Sequence, residues 1–269
     1  MSLNVLTTGD GPPLLLLHGF TGTARTWSAQ VEAWSAQHRV IAPDLLGHGG
    51  SEAPREPARY ALERQAEDLS TLLGLLDATP AAVVGYSMGS RLALALALAH
   101  ADVVSSLVLE SPSAGIADPA ARAARREADE RLAAILDGDG LETFVDEWQS
   151  QPVLAGQAAL PPDLRDRLRA ERLSHDQHGL AASLRGAGQG AMSPLHDRLG
   201  TITCPTLVIA GERDPAGLER ARTVAAGIPR ARLEIIARAG HTPHLERPDA
   251  FTQITTDFLS ARPTATAAR

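Results

Sequence analysis

A short apolar run that breaks at a G-x-S-x-G pentapeptide and resumes as a long apolar segment constrains this chain more than any other feature. Ala81-Ala82-Val83-Val84-Gly85 reads as a buried strand, Tyr86-Ser87 as a turn, and Met88 to His100 as a helix. Glycines at 85 and 89 suit a tight strand-to-helix turn, because a Cβ at either flank would strike the strand or the helix. Such a turn pushes the Ser87 hydroxyl into the open. The pentapeptide alone says little; the strand before it and the helix after it make it a nucleophile elbow.

An elbow serine needs a base and an acid, and in α/β-hydrolase chains these follow in the order Ser, Asp or Glu, His, on loops after later strands. Thr206-Leu207-Val208-Ile209-Ala210 runs into Gly211-Glu212-Arg213-Asp214, and Leu233-Glu234-Ile235-Ile236 runs towards Ala239-Gly240-His241. Ser87, Asp214 and His241 are therefore expected as a catalytic triad. His241 would take the Ser87 proton while Asp214 holds the imidazole in the right tautomer. Leu14-Leu15-Leu16-Leu17-His18-Gly19-Phe20 reads as a strand and its loop. If that strand lies beside the elbow strand, the backbone N–H groups of Phe20 and Met88 form an oxyanion hole, a device that often contributes about 3 kcal/mol. His18, at the strand end, is expected to hydrogen-bond backbone.

Further strand-like runs at Val40-Ile41-Ala42 and Val104 to Leu109 alternate with helical patterns, which predicts an α/β fold: a mostly parallel sheet flanked by helices on both faces. Tyr60 to Ala78 places Leu62, Ala66, Leu69, Leu72, Leu73 and Leu76 on one helix face, and Ala24 to Gln37 does the same with Trp27, Val31 and Trp34. Between Ser113 and Ser193 strand signals vanish and arginine-rich helical patterns appear, including Ala120 to Leu136 and Pro162 to Leu173. The expected organisation is an α/β-hydrolase core of residues 1–112 and 194–269 with a helical cap inserted at 113–193. Ala261 to Arg269 reads as a frayed tail.

With 25 basic and 32 acidic residues the net charge is −7, and every basic residue is arginine. This balance argues against general affinity for nucleic acid or acidic membrane. The longest early apolar run, Leu14 to Leu17, follows prolines rather than a basic cluster, so neither a signal peptide nor a membrane span is expected. A cytoplasmic monomer or small homo-oligomer is the expectation. The single cysteine, Cys204, fits a reducing compartment and reads as a small buried filler. His175 and His178 stand at helical i,i+3 spacing without carboxylate or cysteine partners, so no metal and no cofactor is expected.

The arginines are more informative. Arg91 is the one charge from Met88 to Ala99 and stands one helical turn beyond Ser87, where it can reach a ligand above the serine or pair with a cap carboxylate. Arg122, Arg125, Arg126 and Arg131 interleave with Glu127, Asp129 and Glu130, a pattern of a solvated helix face with a Glu127–Arg131 pair. Charge spacing does not single out Arg172.

The chain resembles the family of 2-succinyl-6-hydroxy-2,4-cyclohexadiene-1-carboxylate (SHCHC) synthases of menaquinone biosynthesis, lyases on the α/β-hydrolase fold. The resemblance spans nearly the whole chain. Leu17-His18-Gly19-Phe20-Thr21-Gly22 and Asp44-Leu45-Leu46-Gly47-His48-Gly49 are shared with many hydrolases. More selective are Gly85-Tyr86-Ser87-Met88-Gly89-Ser90-Arg91, Leu109-Glu110-Ser111-Pro112-Ser113, Ala123-Ala124-Arg125, Trp148 with Gln151-Pro152-Val153, and Ser183-Leu184-Arg185-Gly186. The resemblance implies a 2,5-elimination of pyruvate from an enolpyruvyl cyclohexene bearing a succinyl side chain, with Ser87 as base and the oxyanion hole facing an enolate. It implies a small-molecule polycarboxylate held by Arg91, Arg125 and Arg172, with Tyr86 and Trp148 lining the site. Two departures are Ser90, where glycine is common, and Pro215-Ala216-Gly217, where a basic-aromatic pair often follows the acid. The alternatives are a serine hydrolase acting on an ester, thioester or C–C bond through covalent Ser87, and a hydrolase-fold protein that only binds ligand.

Overall fold

The structure, a computed structural model, describes residues 2–261; apart from Ala261, the expected tail lies outside the described residues. Seven strands form one sheet: β1 (Val5–Thr8), β2 (Pro13–Leu17), β3 (Arg39–Pro43), β4 (Ala81–Tyr86), β5 (Val104–Glu110), β6 (Thr206–Gly211) and β7 (Ala231–Ile236), in the order β1-β3-β2-β4-β5-β6-β7. Only β1 runs antiparallel to its neighbour. The five strands from β2 to β7 on the β4 side therefore end at one edge, and the loops after them converge there.

Period-two alternation sends successive residues to opposite faces, and both faces are covered. Leu15, Leu17, Val83, Leu107 and Val208 pack on one side against helices α2 (Leu62–Leu75), α3 (Met88–Ala99) and α8 (Pro215–Gly227). Leu14, Leu16, Val84, Val108 and Ile209 pack on the other, where Trp27, Trp34 and Phe251 come from the region of α1 (Ser28–Trp34) and from α10 (Pro248–Ser260). The core roles expected for Trp27 and Trp34 agree with this packing. The helix expected over 24–37 is divided into a 3-10 turn at Ala24–Trp27 and the shorter α1.

Between β5 and β6 lie four helices: α4 (Pro119–Gly138), α5 (Gly140–Ser150), α6 (Pro162–Arg172) and α7 (Gln177–Ala187). Ala133, Leu136, Phe144, Val145, Leu180, Ala181 and Leu184 give this insertion an apolar centre of its own. A one-turn helix, α9 (Pro243–Glu246), follows β7. Among the described residues no helix is long and apolar enough to cross a membrane.

Candidate active site

The strand-to-helix turn carries strain, and the sequence supplies what holds it. Ser87 has φ 50°, a left-handed conformation that costs of order 1–3 kcal/mol outside glycine. Its N–H donates to the Glu110 carbonyl at 2.9 Å, and its own carbonyl accepts from the Arg91 N–H at 3.2 Å and from Ser90 Oγ at 2.6 Å. The serine at position 90 thus braces the turn. A Cβ on Gly85 would overlap the Gly89 carbonyl, and one on Gly89 would overlap the Leu17 carbonyl.

The structure brings the three expected reactive residues together. His241 Nε2 stands 3.1 Å from Ser87 Oγ, and His241 Nδ1 stands 2.6 Å from Asp214 Oδ2. With the proton on Nδ1 donated to the carboxylate, Nε2 is left as an acceptor facing the hydroxyl. Burial pushes the Asp214 pKa up, but the His241 hydrogen bond and charge, the Gly217 N–H and the charge of Arg220 outweigh it, so the net shift is downward. Asp214 also caps α8, its Oδ1 accepting the Gly217 N–H at 2.8 Å. That approach is so close that a Cβ on Gly217 would overlap the carboxylate. The Pro215-Ala216-Gly217 segment therefore forms a helix start fitted to the acid.

Carboxylates that the sequence reading did not single out hold the histidine loop. Glu246 accepts the Gly240 N–H at 2.6 Å, the Thr242 N–H at 3.1 Å and the Thr242 hydroxyl at 2.8 Å, gripping the backbone on both sides of His241. Ser111 Oγ donates to the His241 carbonyl at 2.9 Å. Beneath them Glu110 and His244 form a fully buried pair, with His244 Nδ1 2.9 Å from Glu110 Oε1 and 2.8 Å from Oε2. Tyr86 lies between the two histidines, its ring 5.7 Å from that of His241 and 4.7 Å from that of His244. Burial, reinforced by the Glu110 charge, raises the Tyr86 pKa well above the usual phenol range, so its hydroxyl stays neutral.

On the opposite side the loop after β2 approaches Ser87. Met88 begins α3, so its N–H has no partner within the helix. Phe20 follows Gly19 in a turn closed by the Gly22 N–H on the Gly19 carbonyl at 3.0 Å. Both residues line the same cavity as Ser87. His18 makes backbone contacts, Nδ1 lying 2.7 Å from the Gly19 carbonyl and Nε2 accepting the Leu45 N–H at 2.9 Å.

That cavity, of about 770 Å³, lies between the convergent loops and the inserted helices, and Ser87, His241, Tyr86, Trp148, Arg91, Arg125 and Arg172 all line it. Trp148 is held by a hydrogen bond from Nε1 to Thr21 Oγ1 at 3.1 Å and by Phe20 edge-on to its ring. Among the described residues Arg91 does not pair with a carboxylate: it donates to the Ala187 carbonyl at 2.6 Å. Burial, with Arg125 adding and Asp129 opposing, lowers its pKa to about 10, which leaves it charged at neutral pH. Arg125 takes Asp129 at 2.8 Å as its i,i+4 partner and donates to Gln189 Oε1 at 3.1 Å. Among the described residues this pair stands where a Glu127–Arg131 pair was expected. Buried Arg172 donates to Gln149 Oε1 at 3.1 Å and Gln157 Oε1 at 2.6 Å. Its place in the cavity depends on how α5, α6 and the turn at 152–159 pack, which charge spacing along α6 does not reveal.

His175, one half of the i,i+3 histidine pair, has both ring nitrogens on backbone, the Gly49 N–H and the Thr21 carbonyl. Among the described residues no group of three or more His, Cys, Asp or Glu is placed to hold a metal ion. Cys204 is partly buried, and burial raises its thiol pKa, the wrong direction for a nucleophile.

Comparison with known proteins gives a consistent result. Residues 12–248 match the alpha/beta hydrolase fold family. A Bacillus subtilis (strain 168) protein, provisionally named 2-succinyl-6-hydroxy-2,4-cyclohexadiene-1-carboxylate synthase, is 38% identical over 248 residues, 92% of this chain and 90% of its own length. A Salmonella paratyphi C protein named as the same synthase is 32% identical over 240 residues, 88% of this chain and 89% of its own. The solved structure of MenH from S. aureus superposes with a TM-score of 0.90 at 33% identity, over 96% of this chain and 97% of that one.

Proposed function

Because the chain belongs to the SHCHC synthase family of the alpha/beta hydrolase fold, we propose that its triad carries out that family's elimination as a base rather than as a covalent nucleophile. The enzyme is a lyase that releases pyruvate from 2-succinyl-5-enolpyruvyl-6-hydroxy-3-cyclohexene-1-carboxylate to give 2-succinyl-6-hydroxy-2,4-cyclohexadiene-1-carboxylate. His241 accepts the Ser87 proton, and Ser87 Oγ takes the ring proton from C2, next to the succinyl ketone. The C2–H electron pair becomes the C2–C3 double bond, the C3–C4 double bond moves to C4–C5, and the C5–O bond breaks. Enolpyruvate leaves with that electron pair, takes up the proton held on His241 and becomes pyruvate. Enolate charge on the ketone oxygen is met by the N–H groups of Phe20 and Met88.

The observation that carries this reading is the opening of Ser87 and His241 into a cavity that also holds Arg91, Arg125 and Arg172. A substrate with three carboxylates gives those guanidinium groups a purpose, since each charge-assisted hydrogen bond contributes roughly 1.5–3 kcal/mol. Tyr86 and Trp148 shape the same space. Residues 113–193 act as a cap over it. We take the enzyme to work in the cytoplasm on this small polycarboxylate, without a cofactor, as a monomer or small homo-oligomer. The test is to supply the enolpyruvyl substrate and follow pyruvate release beside a panel of p-nitrophenyl esters. Pyruvate should appear in preference to ester cleavage; rapid ester cleavage with no pyruvate would favour a serine hydrolase.

A further inference from the structure

A trianionic substrate needs three positive charges that the protein has not already neutralised, and the three arginines named above do not all qualify. Arg91 and Arg172 donate to neutral oxygens, the Ala187 carbonyl and the amides of Gln149 and Gln157, and so keep their charge. Arg125 differs, because Asp129, itself buried, sits 2.8 Å from its Nε. It can still hydrogen-bond a ligand but brings little net charge.

A further guanidinium lines the same cavity from α8. Arg220 stands six residues beyond Asp214, and among the described residues its side chain makes no hydrogen bond and no ion pair. It is half-buried, whereas Arg213 and Arg238, which also line the cavity, are exposed; Arg247, half-buried in the same lining, already donates to the Glu246 carbonyl at 3.0 Å. Burial lowers the Arg220 pKa, the Asp214 charge opposes that, and the Arg125 charge adds to it. A partly desolvated guanidinium whose donors are not committed to a protein acceptor gains a charge-assisted hydrogen bond from an arriving carboxylate. Asp214 does not fill that place. Both its oxygens are engaged elsewhere, and once His241 is protonated the carboxylate is matched by the imidazolium.

We propose that Arg220 is a carboxylate-binding residue of this enzyme, gripping one of the three substrate carboxylates from the α8 side of the cavity. The assignment rests on the polycarboxylate reading of the site. It adds to Arg91 and Arg172 an uncompensated charge supplied by α8 rather than by the inserted helices.

The test compares Arg220→Met, which keeps the aliphatic packing, and Arg220→Lys with wild type, alongside Arg91→Ala and Arg172→Ala. Arg220→Met should raise KM for the enolpyruvyl substrate about tenfold or more, equivalent to one charge-assisted hydrogen bond, with a smaller change in kcat. Arg220→Lys should recover part of that loss. A KM unchanged in Arg220→Met while Arg91→Ala and Arg172→Ala raise theirs would overturn the assignment and leave the polycarboxylate reading standing. So would a fall in kcat alone with no lysine rescue, the signature of an effect through Asp214. Unchanged KM in all the arginine variants would overturn both.

Discussion

The proposed chemistry concentrates at Ser87, where the chain has little choice about the backbone it adopts. Its φ of 50° is held by Ser90, Arg91 and the Glu110 carbonyl, and that geometry presents Oγ to His241. Ser87→Ala leaves the turn but removes the proton carrier, so kcat for pyruvate release should fall by roughly 10²–10⁴ with KM little changed; steady-state kinetics checks this, and an unaltered kcat would exclude proton transfer through Oγ. The clustering of Ser87, Asp214 and His241 was readable from the sequence because flanking glycines and fixed chain order constrain them. Arg91 was readable as the one charge in an apolar helix. Glu246 was not: a loop carboxylate looks solvated until the chain folds back and places the N–H groups of Gly240 and Thr242 on it. The buried Glu110–His244 pair was hidden for the same reason, its members being 134 residues apart.

Among the elements, the inner parallel strands β2 to β6 announced themselves as runs buried on both faces, whereas the edge strand β1 did not. Val5–Thr8 is a four-residue edge strand with Leu6 41% exposed, too short and too open to show a period. The loops after β2 and β3 meet the α6–α7 connection at His18, His48 and His175, with rings 5.2 Å apart for the first two and 5.4 Å for the last two. Burial lowers His18 to about 4, with the Gly19 carbonyl and Asp44 opposing, and it also lowers His48 and His175. In the unfolded chain these groups titrate near 6.5. The unfolded state therefore binds more protons between those values, and the stability present in full above 6.5 is lost as pH falls towards and through about 4. Urea midpoints should drop from pH 7.5 to pH 5.5, above the range where carboxylates protonate. His175→Gln, which keeps a donor for Thr21 and an acceptor for Gly49, should lessen that drop; equal midpoints at both pH values in the wild type would contradict this account.

At the scale of the molecule, a chain of net charge −7 concentrates arginine around one cavity. Screening over about 8 Å at physiological salt mutes distant carboxylates more than guanidinium groups in direct contact with a ligand, so the overall sign does not prevent anion capture. The sheet topology brings the loops after β2, β4, β5, β6 and β7 to one edge, and the inserted helices complete the enclosure. Sequence could indicate those loops and the helical stretch between β5 and β6; which arginines of that stretch line the cavity depended on packing among α4 to α7. The central claim is that Ser87 and His241 move a proton and form no covalent bond to substrate. Its most direct test is turnover of substrate deuterated at C2, with intact-protein mass spectrometry during the reaction. The account predicts a normal primary isotope effect on kcat/KM and an unmodified enzyme mass; no isotope effect together with an adduct on Ser87 would contradict it.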